Sequence, residues 1–529
     1  MLSKITKILL YIVPALVVLL LSILLLKNSF SYSDLDLGWH LQAGSSIISN
    51  HQVSTLNQYN YTLENEAWLD HEWLPNALMA YIYSSFGSLA LQFAFLALAL
   101  VAIYLAWRRS LLLDNSRFNK YLSFIFLFIG IWASQPHLGL RVQELGLIGV
   151  MTLLIFIDNY PRKKYLLYFT PILFLFWANI HASFLLGLAL LGLYCGYLYL
   201  APYLIKLPFL KCFSLPSLKS KEKHRVLLIL VLSLLFTLIN PYGLQLYSFL
   251  GAYGNTFYMS YIREWQGQFS LPLYYPQIIY LSLSATGAII WTWFGYKNKE
   301  KINLWDFGLF VMFFVLAWRS RRHFPLFVLV SLPLLILFYQ ETFKSIWQSF
   351  TFNIRVLILS FLALALLFSS ILIAMYLPFN QHPINSFCGR QYPCAAVNYL
   401  KNHPEISNQR LFSEYNWGGY LIWSYPAKKI FIDGRMPQVL YKNHSILEEY
   451  LEFRKSVDKA QIKLDEYQIN LVLIKNKLND LQLKTWEKTL LSVKDEDLVV
   501  TDSLRDYLRQ SDEWQLIFQD NLSLIYLRE

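Results

Sequence analysis

Residues 27 to about 75 hold the densest chemistry in the chain. Asp34, Asp36 and His40 stand in SDLDLGWHL, and Asp70, His71 and Glu72 stand in WLDHEWL. Trp39, Trp68 and Trp73 are interleaved with them, and Lys27 is the only Lys or Arg of the stretch. Asp34 and Asp36 are two positions apart and share a face in an extended segment. Such a pair suits a divalent cation, Mg²⁺ or Mn²⁺, bound through oxygen, or a general base. The plain alternative for an isolated Asp-x-Asp is a solvated turn. For WLDHEWL the alternative is a helix lying on a membrane, seated by Trp68, Trp73 and Leu74, with His71 and Glu72 exposed. No H-E-x-x-H occurs, so a zinc protease has no support.

The elements that must position these residues are set by composition. Of the 529 residues, 56% are hydrophobic and only 15% charged, against roughly 25% charged in a soluble domain. Apolar runs at 8–26, 89–107, 183–204 and 356–376 approach the ~20 residues that cross a bilayer. Further runs at 121–134, 145–157, 165–178, 226–239, 278–296, 304–318 and 325–340 bring the expected number of spans to about eleven. No small-residue cleavage site follows the first run, which reads as a retained anchor. Lys4, Lys7, Arg108, Arg109, Arg117, Lys120, Arg162 to Lys164, the loop from Lys206 to Arg225, and Lys297, Lys299 and Lys301 fall on one side if the spans alternate. That side is expected to be the cytoplasm. The N-terminus is then inside and everything after about residue 378 outside. The net charge of +11 is dispersed among membrane loops and gives no support to nucleic-acid binding.

Cations on the wrong side are the informative ones: Lys27, Arg141, Arg263 and the group Arg319, Arg321, Arg322. One reading is a helix C-terminus favouring positive charge. The sharper one is an anion site made with His323, because Pro325 opens the next helix and leaves its amide groups directed at the same place. The spans ending at FWANIHASF and LAWRSRRHF have only about 14 apolar residues, so their polar ends are expected below the membrane surface, lining a crater. Asn179, His181, Arg141 and Glu144 join the candidates on that ground. A helix-to-helix hydrogen bond is the alternative role for each.

The chain divides into a membrane domain, residues 1–378, and a soluble α/β domain, residues 379–529. In the latter RLFSEY, KKIFIDG and INLVLIKN read as strands, and WQLIFQDNLSLIYLR as a hairpin turning at Asp520 and Asn521. Asp433, Gly434 and Arg435 end the second strand in what reads as a structural turn. Of the four cysteines, Cys195 lies in an apolar span and Cys212 in a basic loop. Cys388 and Cys394, close together in FCGRQYPC, are expected to form a disulfide in an oxidising compartment.

The blocks DLDLGWHLQAGSSI, YNYTLENEAWLDHEWL, FWANIHASFLLGL, INPYGLQLY, IREW, RSRRHFPLF, NWGGYLIW and IFIDGR resemble, in this order and over nearly the whole chain, bacterial polytopic proteins similar to the GT-C superfamily of membrane glycosyltransferases. The sequence departs from that pattern at Gly38, where an aromatic is common before the Trp-His pair, and at Asn57, where Asp often precedes the YT block. The resemblance implies a cell-envelope enzyme whose catalytic or metal-binding acid sits just beyond the first helix, with Asp36 favoured. Asp34 or Glu72 would hold a cation or orient the base. It also implies a polyprenyl phosphate-linked sugar as donor and a glycan, lipid or protein hydroxyl as acceptor, with Arg319, Arg321, Arg322, His323 and Arg141 on the donor phosphate. The lack of a G-x-G-x-x-G at a strand-to-helix junction agrees with a lipid-linked donor. Two other classes stay open. One is a transporter or flippase of a lipid-linked glycan, which requires polar residues along the inner halves of the spans. The other is a membrane scaffold whose C-terminal domain alone binds a ligand.

Overall fold

The computed structural model describes residues 2–31, 34–113, 117–160, 162–204, 206–207, 210, 213–214, 219–254, 256–298, 302–377, 387–441, 444–478, 482–494, 498 and 501–529. Cys212, Lys299, Lys301 and the boundary at 378/379 lie outside the described residues. The chain forms two compact units, Met1–Phe30 with Gln92–Leu244 and Arg263–Pro378, and Ser31–Leu91 with Gln245–Ile262 and Phe379–Glu529.

In the first unit, apolar periodicity and length produce helices wherever the sequence carries an apolar run. They are α1 (Leu2–Ser31), Arg117–Ser134, Gln143–Asn159, Lys164–Ala178, Phe184–Leu204, Ser220–Thr237, Tyr275–Asn298, Leu304–Arg319, Phe324–Ser349 and Phe352–Met375. A further helix, Trp73–Leu113, breaks at Gly87, whose φ of 80° is a left-handed value that glycine adopts without steric cost. Five segments among the described residues have the length and composition to cross a bilayer: Ile8–Phe30, Trp73–Leu112, Phe184–Leu204, Arg321–Ser349 and Phe352–Met375. The other helices are shorter or more polar, and the chain is a multi-pass membrane protein.

The helix Phe324–Ser349 is central to its unit: 72% of its apolar window is buried, against 22% for the first and last spans. Gly130 lets Arg117–Ser134 close on it, since a Cβ there would overlap Val328. Arg109, counted above among the topogenic charges, is only 2% exposed. Its Nε donates to Asp158 (2.7 Å), its Nη2 to Asp306 (2.6 Å) and its Nη1 to the Val330 carbonyl (2.9 Å). It therefore joins four helices, and removing one member of such a buried set costs about 3 to 5 kcal/mol.

The second unit contains the helix Leu37–Asn50, the part of the broken helix that begins at Trp73, and a four-stranded sheet. The strand order is 411–413, 471–475, 523–528, 514–519; the first pair is parallel and the others antiparallel. The terminal hairpin turns where Asp520 Oδ1 accepts the amides of Leu522 and Ser523. KKIFIDG is not a full strand. Ile430 makes only isolated bridges, to Leu411 and to Asn60, so this segment ties residues 59–62 to the sheet. Phe412, Phe431, Tyr450 and Phe453 form the aromatic core against it. Cys388 and Cys394 are bonded, with Cα atoms 5.3 Å apart, and Cys195 is buried and free.

Candidate functional site

In the second unit the acid pair sits at the start of Leu37–Asn50. Asp34 and Asp36 are both partly exposed. Asp34 Oδ1 accepts the Asp36 amide at 3.1 Å, an Asx-type turn that starts the helix. Asp36 is the N-cap residue by position, yet its side chain makes no capping hydrogen bond. Its carboxylate lies instead against Gly434, where a Cβ would overlap Asp36 Oδ1. Gly419 is pressed on the Leu35 carbonyl, Gly38 on the Gly419 carbonyl and Gly418 on Asp433. The Tyr392 hydroxyl donates to the Asp34 carbonyl at 3.0 Å. The segments NWGGY and IDGR thus form a side-chain-free corner around Asp36. Gly38, the departure from the family pattern, is required by it, because any larger residue would strike backbone.

Arg435 fixes this corner. It is 3% exposed, donates to both Asp433 oxygens (2.9 and 2.8 Å) and to Asn57 Oδ1 and Asn60 Oδ1 (2.9 and 3.0 Å), and lies between the Tyr59 and Trp68 rings. Asn57 also donates to the Leu63 carbonyl at 2.8 Å, a bond that Asp at this position would forfeit. The structural turn expected at Asp433 to Arg435 therefore clamps the loop that follows the acid pair.

Behind Asp36 lies a buried polar chain. His40 Nδ1 meets Asn76 Oδ1 at 2.6 Å, and Asn76 Nδ2 donates to both Asp70 oxygens at 2.9 Å. Glu72 is 3.9 Å from His40 Nε2 and 3.7 Å from His71 Nε2. Glu72 is thus largely buried (9% exposed), in contrast to the exposed position expected for a surface helix. Burial pushes the His40 imidazole down to about 4 and the Asp70 carboxyl up to about 6. Asn76 was not apparent from sequence. Nothing local marks it as the bridge between two motifs.

In the first unit Arg141 and Arg322 meet on one carboxylate. Arg141 Nη1 donates to Glu264 Oε2 at 2.9 Å, and Arg322 Nη1 to Oε1 at 2.5 Å, while Arg322 also lies over the Trp265 ring. Burial alone would raise the Glu264 carboxyl, but Arg322 and Arg141 outweigh it and hold it down to about 2. Arg321 is buried; its Nη2 donates to the Ser270 carbonyl and its amide to that of Gln266. Arg319 is exposed at the end of its helix, and His323 packs edge-on to Trp265. Glu264 was missed because it stands alone, outside any span, visible only within IREW.

The remaining candidates hold backbone. Asn179 caps its helix and donates to the Leu175 and Ile239 carbonyls. His181 Nδ1 accepts the Ser183 amide at 3.0 Å. Glu144 Oε1 accepts the Gly139 amide at 2.8 Å. Among the described residues no three His, Cys, Asp or Glu side chains gather into a metal cage.

No protein-family model and no curated protein sequence matches the chain. Among solved structures it is similar to the archaeal oligosaccharyltransferase AglB from Archaeoglobus fulgidus in complex with an inhibitory peptide and a dolichol-phosphate: TM-score 0.51, 11% identity, 89% of this chain and 69% of that one. The oligosaccharyltransferase of the same organism tethered to an acceptor peptide gives 0.51 at 12% identity over 98% and 74%. Its apo form gives 0.52 at 12% over 89% and 69%. The chain has a GT-C-like fold, a polytopic helical membrane protein with a C-terminal α/β region.

Proposed function

We propose that this protein is a membrane glycosyltransferase that moves a sugar from a polyprenyl phosphate carrier to an acceptor hydroxyl on the extracytoplasmic face. The observation that carries the reading is the glycine corner around Asp36. An acid that does not cap its own helix rests on Gly434, beside a backbone that Gly38, Gly418 and Gly419 let close and that Arg435 clamps through Asp433, the preorganisation expected of a reacting group. The fold likeness supports the reading, since one neighbour was determined with a dolichol-phosphate. The outward orientation follows from the distribution of Lys and Arg.

In this reaction Asp36 takes the proton of the acceptor hydroxyl as its oxygen attacks the anomeric carbon, with inversion. The bond from that carbon to the phosphate oxygen breaks, and the electron pair leaves on the lipid phosphate. Within the first unit, Arg141, Arg322, Arg321, Arg319 and His323 are the groups that would take a lipid phosphate, through charge-assisted contacts. Asp34 and Asp36 fit Mg²⁺ or Mn²⁺ in the way these ions use one or two carboxylates beside water and substrate phosphate. Bound there, the cation would supply Lewis-acid charge at the acid pair.

The test is incubation of the purified protein with a panel of polyprenyl phosphate sugars and acceptors, with mass spectrometry for free polyprenyl phosphate. Carrier release with at least one donor is expected; if no donor is consumed, only the fold stands. A flippase for the same lipids is favoured by one observation, the buried Arg109, Asp158 and Asp306 set. It predicts donor movement across vesicles without carrier release.

A further inference from the structure

The arginine pair of the first unit already holds an anion of its own. Each Glu264 oxygen takes one guanidinium, and the main chain around it is tied down separately. Ser320 Oγ donates to the Glu264 carbonyl at 3.2 Å, and the Arg321 amide to the Gln266 carbonyl at 3.1 Å. The side chain can therefore turn away while the segment stays in place. The surroundings hold more donors than two carboxylate oxygens use. Arg321 Nε is a buried donor without a hydrogen-bond partner, and His323 Nδ1 and His137 Nδ1, donors in their Nδ1–H tautomers, are unpartnered as well, which points to a ligand with more acceptor oxygens than a carboxylate has. A phosphate has them.

We propose that Glu264 is a built-in counter-anion of Arg141 and Arg322 that yields to the donor's phosphate and, by its charge beside the site, weakens the hold on the product phosphate. The inference rests on the reading that this basic set takes lipid phosphate. Charge supplies the reason for such a device. The donor is a phosphodiester with one negative charge, whereas the product is a monoester with about −1.5 to −2 at pH 7. A purely cationic site therefore holds product more tightly than donor and stalls. A carboxylate that stays beside the guanidinium groups repels the product's larger charge more than the donor's and lowers that difference. Glu264 exchanges no proton in the transfer, whose bond changes stay at the anomeric carbon, the phosphate oxygen and the acceptor hydroxyl.

The test uses the full chain in detergent or nanodiscs, with farnesyl phosphate as the monoester, its methyl ester as the diester, and inorganic phosphate and farnesol as controls. Calorimetric affinities are compared for wild type, Glu264→Gln and Glu264→Asp. Glu264→Gln is expected to bind farnesyl phosphate about 10-fold more tightly, with a smaller gain for the diester and none for farnesol. In turnover, KM and kcat should both fall, and inhibition by added polyprenyl phosphate should strengthen. Glu264→Asp should stay near wild type. Equal farnesyl phosphate affinity in wild type and folded Glu264→Gln overturns the inference while leaving the lipid-phosphate reading in place. Failure of every variant to bind any prenyl phosphate overturns the reading itself. Tightening for inorganic phosphate alone overturns the lipid assignment. If Glu264→Gln does not fold, the charge-balanced Arg141→Gln/Glu264→Gln variant replaces it. Affinity for farnesyl phosphate close to wild type is then expected, and a loss of 10-fold or more overturns the counter-anion role.

Discussion

Arg435 and Arg322 both lie on an indole ring and both pair with a carboxylate, yet they are built for different ends. Arg435 is enclosed, with Asp433 taking two of its bonds and Asn57 and Asn60 two more. Arg322 is about a quarter exposed, and its carboxylate is shared with Arg141. A cation whose partners are all dedicated to it stabilises a loop. One that shares a single anion with a second cation is ready to accept a better one.

The largest effect expected on this comparison comes from the acid beside the locked corner. Asp36→Asn should lower turnover by about 10² to 10⁴ with an unchanged melting transition; carrier release by mass spectrometry checks it, and wild-type release would sink the assignment. Arg435→Gln should act on folding instead, by about 3 to 5 kcal/mol, because it leaves Asp433 buried and unpaired. Protease resistance of the second unit reads this out, and an intact unit would show that the clamp is dispensable.

Between these regions in magnitude comes the His40 to Asp70 chain. Asp70 has a raised carboxyl, so its contribution is full below about 4 and is lost as pH rises through about 6. His40 has a depressed imidazole, so its contribution is full above about 6.5 and is lost as pH falls through about 4. Each is worth about 3 kcal/mol, and over the shared window they oppose each other. Amide protection in Leu37–Asn50 should therefore vary little between pH 4 and 6.5 in the wild type. It should rise on acidification in His40→Gln and fall in Asp70→Asn. Parallel slopes in the two variants would refute the coupling. The smallest effect is expected at the shared pair. Arg322→Gln should weaken donor binding by about 1.5 to 3 kcal/mol and leave folding nearly untouched; a folding defect without a binding defect would make Arg322 a second Arg435.

The apolar runs were legible because hydropathy over ~20 residues is a one-dimensional signal, and each read span coincides with a helix. The acid pair was legible as a cluster, and the role of Gly38 was not, since its reason is a carbonyl at Gly419, far along the chain. KKIFIDG showed an apolar run without its partners, so a set of single bridges read as a strand. The alternative of a surface helix, which left Glu72 exposed, came from the tryptophans around it, which are as much at home at a membrane surface as around a buried carboxylate. Glu264 and Asn76 carry their meaning only through residues distant in sequence, which no local window contains.

Translation makes the Arg109 set a timed assembly. Asp158 follows Arg109 by 49 positions and Asp306 by 197. At about 5 to 20 residues per second, Asp306 emerges roughly seven to thirty seconds after Asp158. During that interval Arg109 and Asp158 neutralise each other within the nascent bundle. The helix Leu304–Arg319 then arrives with Asp306, its one acidic residue, and the guanidinium's Nη2 gives that carboxylate a partner, which favours docking there.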